Sequence, residues 1–414
     1  MPTRRGQGVP EEISLGSRIG FLRRRRGISR QTLAALIGYS SEWLRQVEKD
    51  ERTVNKLPTL LLLAKVLQVE DVADFIGIRT RQGQRDIPEV AVQADIRQAL
   101  LRHHAPDRNS ARRHQVDLVG FRRQLDEAWW VWRNSPQRYS TTQRVLPGLL
   151  AVTGAHPIPV GARTYSLFAH THRLASSFLC QTGDVTLALL AAERGAAEAA
   201  RSGDALTRVA CAGGYAETMV RCGFVGEARQ LCSSLPRSLP ARSAGAQAAD
   251  DRPEMISVWG AIALTAAESA AVDSDHHAAE SLLDEARAAA DRLGGSHNDL
   301  ASSFGPTDVA IHAVRIALIL GRVPRALRLA SAVDVVGLVS AERQAQHYLT
   351  IARAHSQQRN PAGATFALLQ AEDACPEEIR FNAEGRQVLQ ELLRQDDASV
   401  RRELWRLAHR VKII

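Results

Sequence analysis

Several features are scarce or absent. No run of 18 or more apolar residues occurs, so no membrane-spanning helix is expected. The opening MPTRRGQGVPEEIS carries no apolar signal core, so export is not expected. Cysteine is sparse. The five (Cys180, Cys211, Cys222, Cys232, Cys375) make an odd count, none lies in a CxxC, and in a non-secreted chain they read as reduced, mostly buried thiols. Alternating β-branched runs are nearly missing, which disfavours a sheet. P-loop, GxSxG and HExxH motifs are absent, so no enzyme activity and no cofactor are expected. His170 and His172 fall on opposite sides of a helix, and His103–His104 and His276–His277 are merely adjacent, so no metal site is expected.

What is present is basic charge, unevenly placed. Residues 1–145 hold 26 Lys and Arg against 16 Asp and Glu, whereas residues 146–414 hold 27 against 29. Lysine contributes only four of the basic residues, so arginine is favoured throughout. A general arginine bias would not leave the later two-thirds slightly acidic. The asymmetry points to a nucleic acid or another acidic surface as partner of the first third.

Ala, Leu, Arg, Glu and Gln dominate, with apolar residues at i, i+3 and i+4, so the chain reads as all-α. Leu15, Ile19 and Leu22 line one helix, ended by Gly27. Ser29 can cap a second helix, Arg30–Ile37, Gly38 makes a tight turn, and Ser40 can cap a third through Val47. LPTLLLLAKVL (57–67) reads as a fourth helix, and VEDVADFIG (69–77) closes the unit. Ala34 at a crossing and a Gly turn between two helices define a helix-turn-helix. Leu33, Ile37, Leu44 and Val47 then face inward, while Ser41, Glu42, Arg45 and Gln46 face outward, where a major groove can receive them.

On these residues, LGSRIGFLRRRRGISRQTLAALIGYSSEWLRQVEKDER followed by LPTLLLLAKVLQV resembles the XRE-type, phage repressor and Cro-like DNA-binding family. The resemblance implies a five-helix lambda-repressor-like domain and a structural ion pair between Arg23 and Glu48. It implies DNA contacts from Arg30, Gln31, Ser40, Ser41, Glu42, Trp43, Arg45 and Gln46, and from Lys49, Arg52 and Lys56 beyond the recognition helix. Three positions depart from the family: Arg30 replaces a usual Gln, Trp43 a small or polar residue, and Asp50 a Gly. Trp43 can touch a thymine methyl or sugar, or cover the edge of the core.

Residues 78–116 read as a connector holding one helical stretch, PEVAVQADIRQALLRHH. From Asp117 a motif recurs, in which a helix ends and an Ala follows five positions later. Gly183 and Ala188, Gly223 and Ala228, Ser274 and Ala279, Gly321 and Ala326, and Arg359 and Ala364 are spaced at steps of 40, 51, 47 and 38 residues. Such a period means stacked helical hairpins, five or six of them over 117–414, with Ser234–Pro253 inserted and RELWRLAHRV as a terminal cap. The array resembles tetratricopeptide-type repeats. Together with the first unit it resembles bacterial regulators of the peptide-pheromone-receptor type, and more closely a large actinobacterial class of them. A hairpin solenoid offers a concave groove. NDLASSFGPTDVAIHAVR is the candidate lining, with Asn298, Asp308, His312 and Arg315 as candidate ligand contacts; Asp308 can equally serve the helix dipole and pair with His312.

The expected protein is a bacterial cytoplasmic regulator, on the nucleoid when bound, with domains 1–77, 78–116 and 117–414. Its expected partners are operator DNA, palindromic if the protein is a homodimer, and a peptide or small-molecule effector. The alternative is an interaction scaffold or antitoxin-like module tethered to DNA without sequence preference.

Overall fold

The computed structural model of the chain describes residues 15–25, 28–49, 51–52, 54, 59, 63, 66–67, 89–101, 117–154, 161–235, 252–335, 338 and 340–413. It forms two compact units, Met1–Glu89 and Val90–Ile414. Among the described residues there is no strand, only a single antiparallel bridge between His297 and Phe304.

In the first unit α1 spans Leu15–Arg25, α2 Arg30–Ile37 and α3 Ser41–Glu48. Ile19, Leu33, Ala34, Ile37, Leu44 and Val47 form one core with Val54, Leu63 and Leu67. Ser29 and Ser40 cap α2 and α3 by accepting from the backbone N–H of Thr32 and Trp43. Gly38 ends α2 at φ 75°, a conformation that costs a side-chain-bearing residue roughly 1 kcal/mol or more. Of the expected fourth helix, Thr59, Leu63 and Val66 are helical and Leu67 lies in a turn; its other residues, 69–77, Asp50 and Lys56 lie outside the described residues.

The second unit opens with α4 (Glu89–Leu101), whose Ile96 and Leu100 share a core with Phe121, Trp132, Tyr139, Phe168 and Phe178. Six helical hairpins follow among the described residues: α5/α6 (Leu118–Asn134, Arg138–Gly154), α7/α8 (Ala162–Thr182, Val185–Ser202), α9/α10 (Ala205–Arg221, Val225–Ser234), α11/α12 (Pro253–Val272, His276–Leu293), α13/α14 (Pro306–Ile319, Val323–Ala330) and α15/α16 (Ala341–Gln357, Pro361–Ala374). α17 (Pro376–Phe381), α18 (Ala383–Gln395) and α19 (Arg401–Arg410) complete it. Most of the insertion expected at 234–253 lies outside the described residues.

The recurring motif has a single physical cause. Gly183, Gly223, Ser274, Gly321 and Arg359 all have positive φ, between 55° and 93°. After each, the next backbone N–H reaches back to a carbonyl five residues earlier, at 2.9 Å in all five cases: Asp184 to Leu179, Phe224 to Met219, Asp275 to Ala270, Arg322 to Ala317 and Asn360 to His355. This is the Schellman helix end. Ala188, Ala228, Ala279, Ala326 and Ala364 have no exposed surface, so nothing larger fits where the second helix meets the first. Ser274 and Arg359 occupy the left-handed conformation without being glycine. Replacing either with glycine should stabilise the second unit by up to about 1 kcal/mol in a denaturant melt, net of glycine's greater unfolded-state freedom.

α11 is long and apolar enough, by length and composition, to cross a membrane, with mean hydropathy 1.5 over its most apolar window. Yet 78% of that window is buried in this unit, and Glu268 lies within the helix, so α11 is a core helix here.

The unit also buries three histidines, His170, His172 and His347. His170 is pushed down to about 3 by burial and then by Arg173, and burial takes His347 to about 4. The unfolded chain therefore binds these two protons at higher pH than the folded one. Their contribution to stability is complete above pH ~6.5 and fades as pH falls toward 4 and then 3. Chemical unfolding at pH 5 rather than 7.5 should cost the unit roughly 2–4 kcal/mol, and a His170→Gln/His347→Gln variant should lose much of that slope.

Candidate nucleic-acid interface and the clusters of the repeat unit

In the first unit α2 and α3 meet across the Gly38 turn, where the Tyr39 N–H donates to the Ala34 carbonyl at 2.9 Å. Leu44 and Val47 anchor α3 from below, leaving Ser41 and Glu42 exposed and Arg45 and Gln46 half-buried on the opposite side. Trp43 stacks on Tyr39 with ring centroids 4.0 Å apart, and the Tyr39 hydroxyl lies 3.0 Å from Thr59 Oγ1. The indole thus packs on the turn and holds the start of α3 against its neighbours.

Arg23 Nε donates to Glu48 Oε1 at 2.5 Å, its Nη2 to Oε2 at 3.1 Å, and its Nη1 to the Ile28 carbonyl at 2.9 Å. Arg30 Nε adds a third bond to Glu48 at 2.6 Å. Burial pushes the Glu48 carboxyl up, but the bonds from Arg23 and Arg30 outweigh it and hold the group below the ordinary carboxylate range. This ion pair joins the ends of α1 and α3 and fixes the pitch of α3. Arg30 is therefore engaged within the protein and must exchange Glu48 for any phosphate.

Arg45 is engaged as well. Its Nε donates to both Glu42 oxygens, at 3.0 and 2.9 Å, and its Nη2 reaches Glu42 at 2.7 Å and Glu51 at 3.3 Å. A base edge must compete with two carboxylates for this guanidinium. Gln31, Ser40, Lys49 and Arg52 are exposed around the same surface.

In the second unit the four groove candidates do not act as one face. Asp308 pairs with Arg343 at 3.0 Å, not with His312. His312 Nδ1 lies 2.7 Å from Glu268, which Arg315 also approaches at 3.4 Å while reaching Glu384 at 3.4 Å. Burial pushes the Glu268 carboxyl up, but Arg315 and His312 hold it well below its ordinary range. Asn298 Oδ1 accepts from the Ser303 backbone and hydroxyl, at 3.2 and 3.1 Å.

Sequence reading misses a larger network. Arg138 has no exposed surface; it donates to the Trp132 carbonyl at 2.7 Å and pairs with Glu378 at 2.8 Å and Glu342 at 2.9 Å. Arg133 pairs with Glu342 at 2.6 Å, and Asn382 bonds both Glu378 and Gln181. Glu377 accepts from the N–H groups of Tyr139 and Ser140 at 2.8 and 3.0 Å. These bonds join α5 and α6 to α15 and α17, and Asn382, at the start of α18, to α7, across more than 200 residues of sequence. The available signal is arginine inside the tryptophan-rich stretch AWWVWRNSPQRY. Among the described residues no group of His, Cys, Asp and Glu could hold a metal ion.

α2 and α3, joined across the Gly38 turn, form a helix-turn-helix. Residues 14–74 match the helix-turn-helix domain family. No curated protein matches the chain. Remote structural similarity is found to PlcR of Bacillus thuringiensis, solved with the peptide PapR7 and DNA, at 12% identity and a TM-score of 0.21, over 92% of this chain and 98% of that one. It is also found to the apo form of the competence regulator ComR of Streptococcus vestibularis, at 12% identity and a TM-score of 0.22, over 92% and 97%. Likenesses this distant leave the repeat unit to be argued from its own helices.

Proposed function

We propose that the chain is a sequence-specific transcription regulator in which α3 enters the major groove and the repeat unit dimerises, senses a peptide or small molecule, or both. The observation that carries this reading is α3 itself. Leu44 and Val47 lock one side into the core while Ser41, Glu42, Arg45 and Gln46 stay available on the other. Lys49 and Arg52 supply positive charge for the adjoining phosphates, and the basic excess of residues 1–145 supports the same partner. As a homodimer it would read a palindrome with half-sites about 34 Å apart or a multiple of that. The cytoplasm, at the nucleoid, is the compartment this function requires.

The test compares the chain's affinity for its own promoter duplex and a scrambled one at two salt concentrations. Preference for the promoter at both, with protection of two symmetric half-sites in footprinting, is the expected result. Equal affinities would reject the reading and favour a scaffold that holds DNA without selecting sequence.

A further inference from the structure

A short turn of the chain sits among arginines from separate helices. His297 and Phe304 exchange two backbone hydrogen bonds, both 2.8 Å, which close the base of a hairpin-like loop. Phe304 has no exposed surface, and its ring fills the space a side chain at Gly260 would need, with ring atoms 2.0–2.4 Å from a Cβ there. The base is thereby pinned to α11.

The tip, Asn298–Ser303, is held in another way. Arg133 of α5 donates to the Ala301 carbonyl at 2.8 Å. Arg173 of α7 donates to the Leu300 carbonyl and, at 3.3 Å, to that of Ala301. Arg343 of α15 reaches the Ser303 carbonyl at 3.4 Å. Three guanidinium groups thus converge on neutral backbone oxygens. Arg133 and Arg343 also have carboxylate partners, but Arg173 has none within ion-pair distance among the described residues. Arg133 and Arg173 both lie over Trp129, at 5.6 and 5.4 Å from a ring centroid. Beside them a small cleft is lined by Ser177, Gln181, Glu217, Thr218 and Arg221, with Glu217 paired to Arg221 at 3.5 Å.

The tip stays there at a conformational cost. Leu300, Ala301 and Ser303 have φ of 49°, 56° and 45°, in the left-handed region that side-chain-bearing residues avoid. The arginine bonds and the buried Phe304 hold it against that preference.

We propose that Asn298–Ser303 is a built-in occupant of an anion seat formed by Arg133 and Arg173, and that a carboxylate-bearing ligand takes the seat when the tip withdraws. The chemistry follows from the donors. Two guanidinium groups aimed at adjacent oxygens match a carboxylate, which would bond more strongly than the two neutral carbonyls it replaces. Arg173, which has no ion-pair partner among the described residues, would gain one, and the tip would relax from its left-handed residues. The link to DNA control rests on the effector reading above; occupation of the seat by the tip does not.

The experiment uses the full chain, with citrate as probe. Hydrogen exchange at Leu300–Ser303 should accelerate at least tenfold in an Arg173→Gln variant, with α11 and α15 unchanged; exchange that stays as slow as in the parent overturns the proposal. Because that substitution can disturb packing, a second variant removes the tip without touching the arginines: a chain shortened by deletion of Leu300–Ser302. By calorimetry the shortened chain should bind citrate at least tenfold more tightly than the parent, and adding Arg173→Gln should abolish the gain. Equal citrate affinity with and without the tip overturns the seat. Citrate uptake with no change in promoter affinity would support the seat and reject only the effector reading.

Discussion

Replacing Arg138 with leucine should lower the stability of the second unit by about 3–5 kcal/mol, seen as a drop of several degrees in its melting midpoint. Arg138 is the cation between Glu342 and Glu378, at 2.9 and 2.8 Å, and lies over the Trp132 ring at 3.7 Å. Without it, Glu378 loses its ion-pair partner while staying buried, and an uncompensated buried carboxylate is what makes such a loss costly. Glu342 keeps Arg133, so the damage should concentrate at α17 and the Asn382 bond. An Arg138→Leu/Glu378→Leu pair should recover much of the loss, because removing both charges also removes the desolvation penalty. If the single variant costs under about 1 kcal/mol, the network is incidental. The first unit contains none of these residues, and its own unfolding should not move.

The second large effect concerns DNA. An Arg45→Ala/Gln46→Ala variant should lose roughly 100-fold or more in operator affinity while binding scrambled duplex nearly as before, each good base contact being worth about 1–3 kcal/mol. Lys49→Ala and Arg52→Ala should instead weaken both duplexes alike and flatten the salt dependence by about 0.9 for each phosphate no longer neutralised. The carboxylates on Arg45 add a test that the sequence does not suggest. Because Glu42 and Glu51 hold its guanidinium, Glu51→Gln should raise affinity for any duplex and narrow the gap between operator and scrambled DNA. Unchanged operator selection in Arg45→Ala/Gln46→Ala would remove α3 from base reading.

Much of the architecture is local and legible in local signals. Ser29, Gly38 and Ser40 mark helix ends through bonds spanning three to five residues, and the recurring alanine follows from the same helix end repeated. The Arg23–Glu48 contact is reachable only through resemblance, since it takes a known fold to bring positions 25 apart together. Across longer separations the sequence hints at a buried arginine but does not name its partner. Arg138 to Glu378 spans 240 residues, and neither residue's surroundings announce the other. The sequence pattern puts Asn298 on a groove wall, whereas it braces a turn that lies among the arginines, because sequence alone does not tell a lining from an occupant. Asp308 and His312 share a helix, but their partners, Arg343 and Glu268, come from different helices.

Arg45 has a consequence for how the protein finds its target. On the proposed function, a head whose reading arginine is already satisfied by its own acids would gain little from a random stretch of duplex, because existing bonds must be surrendered for each new one. Residence on the wrong sequence would be correspondingly brief. The search would then proceed by many short visits, with lingering reserved for a site whose bases more than replace what the acids gave.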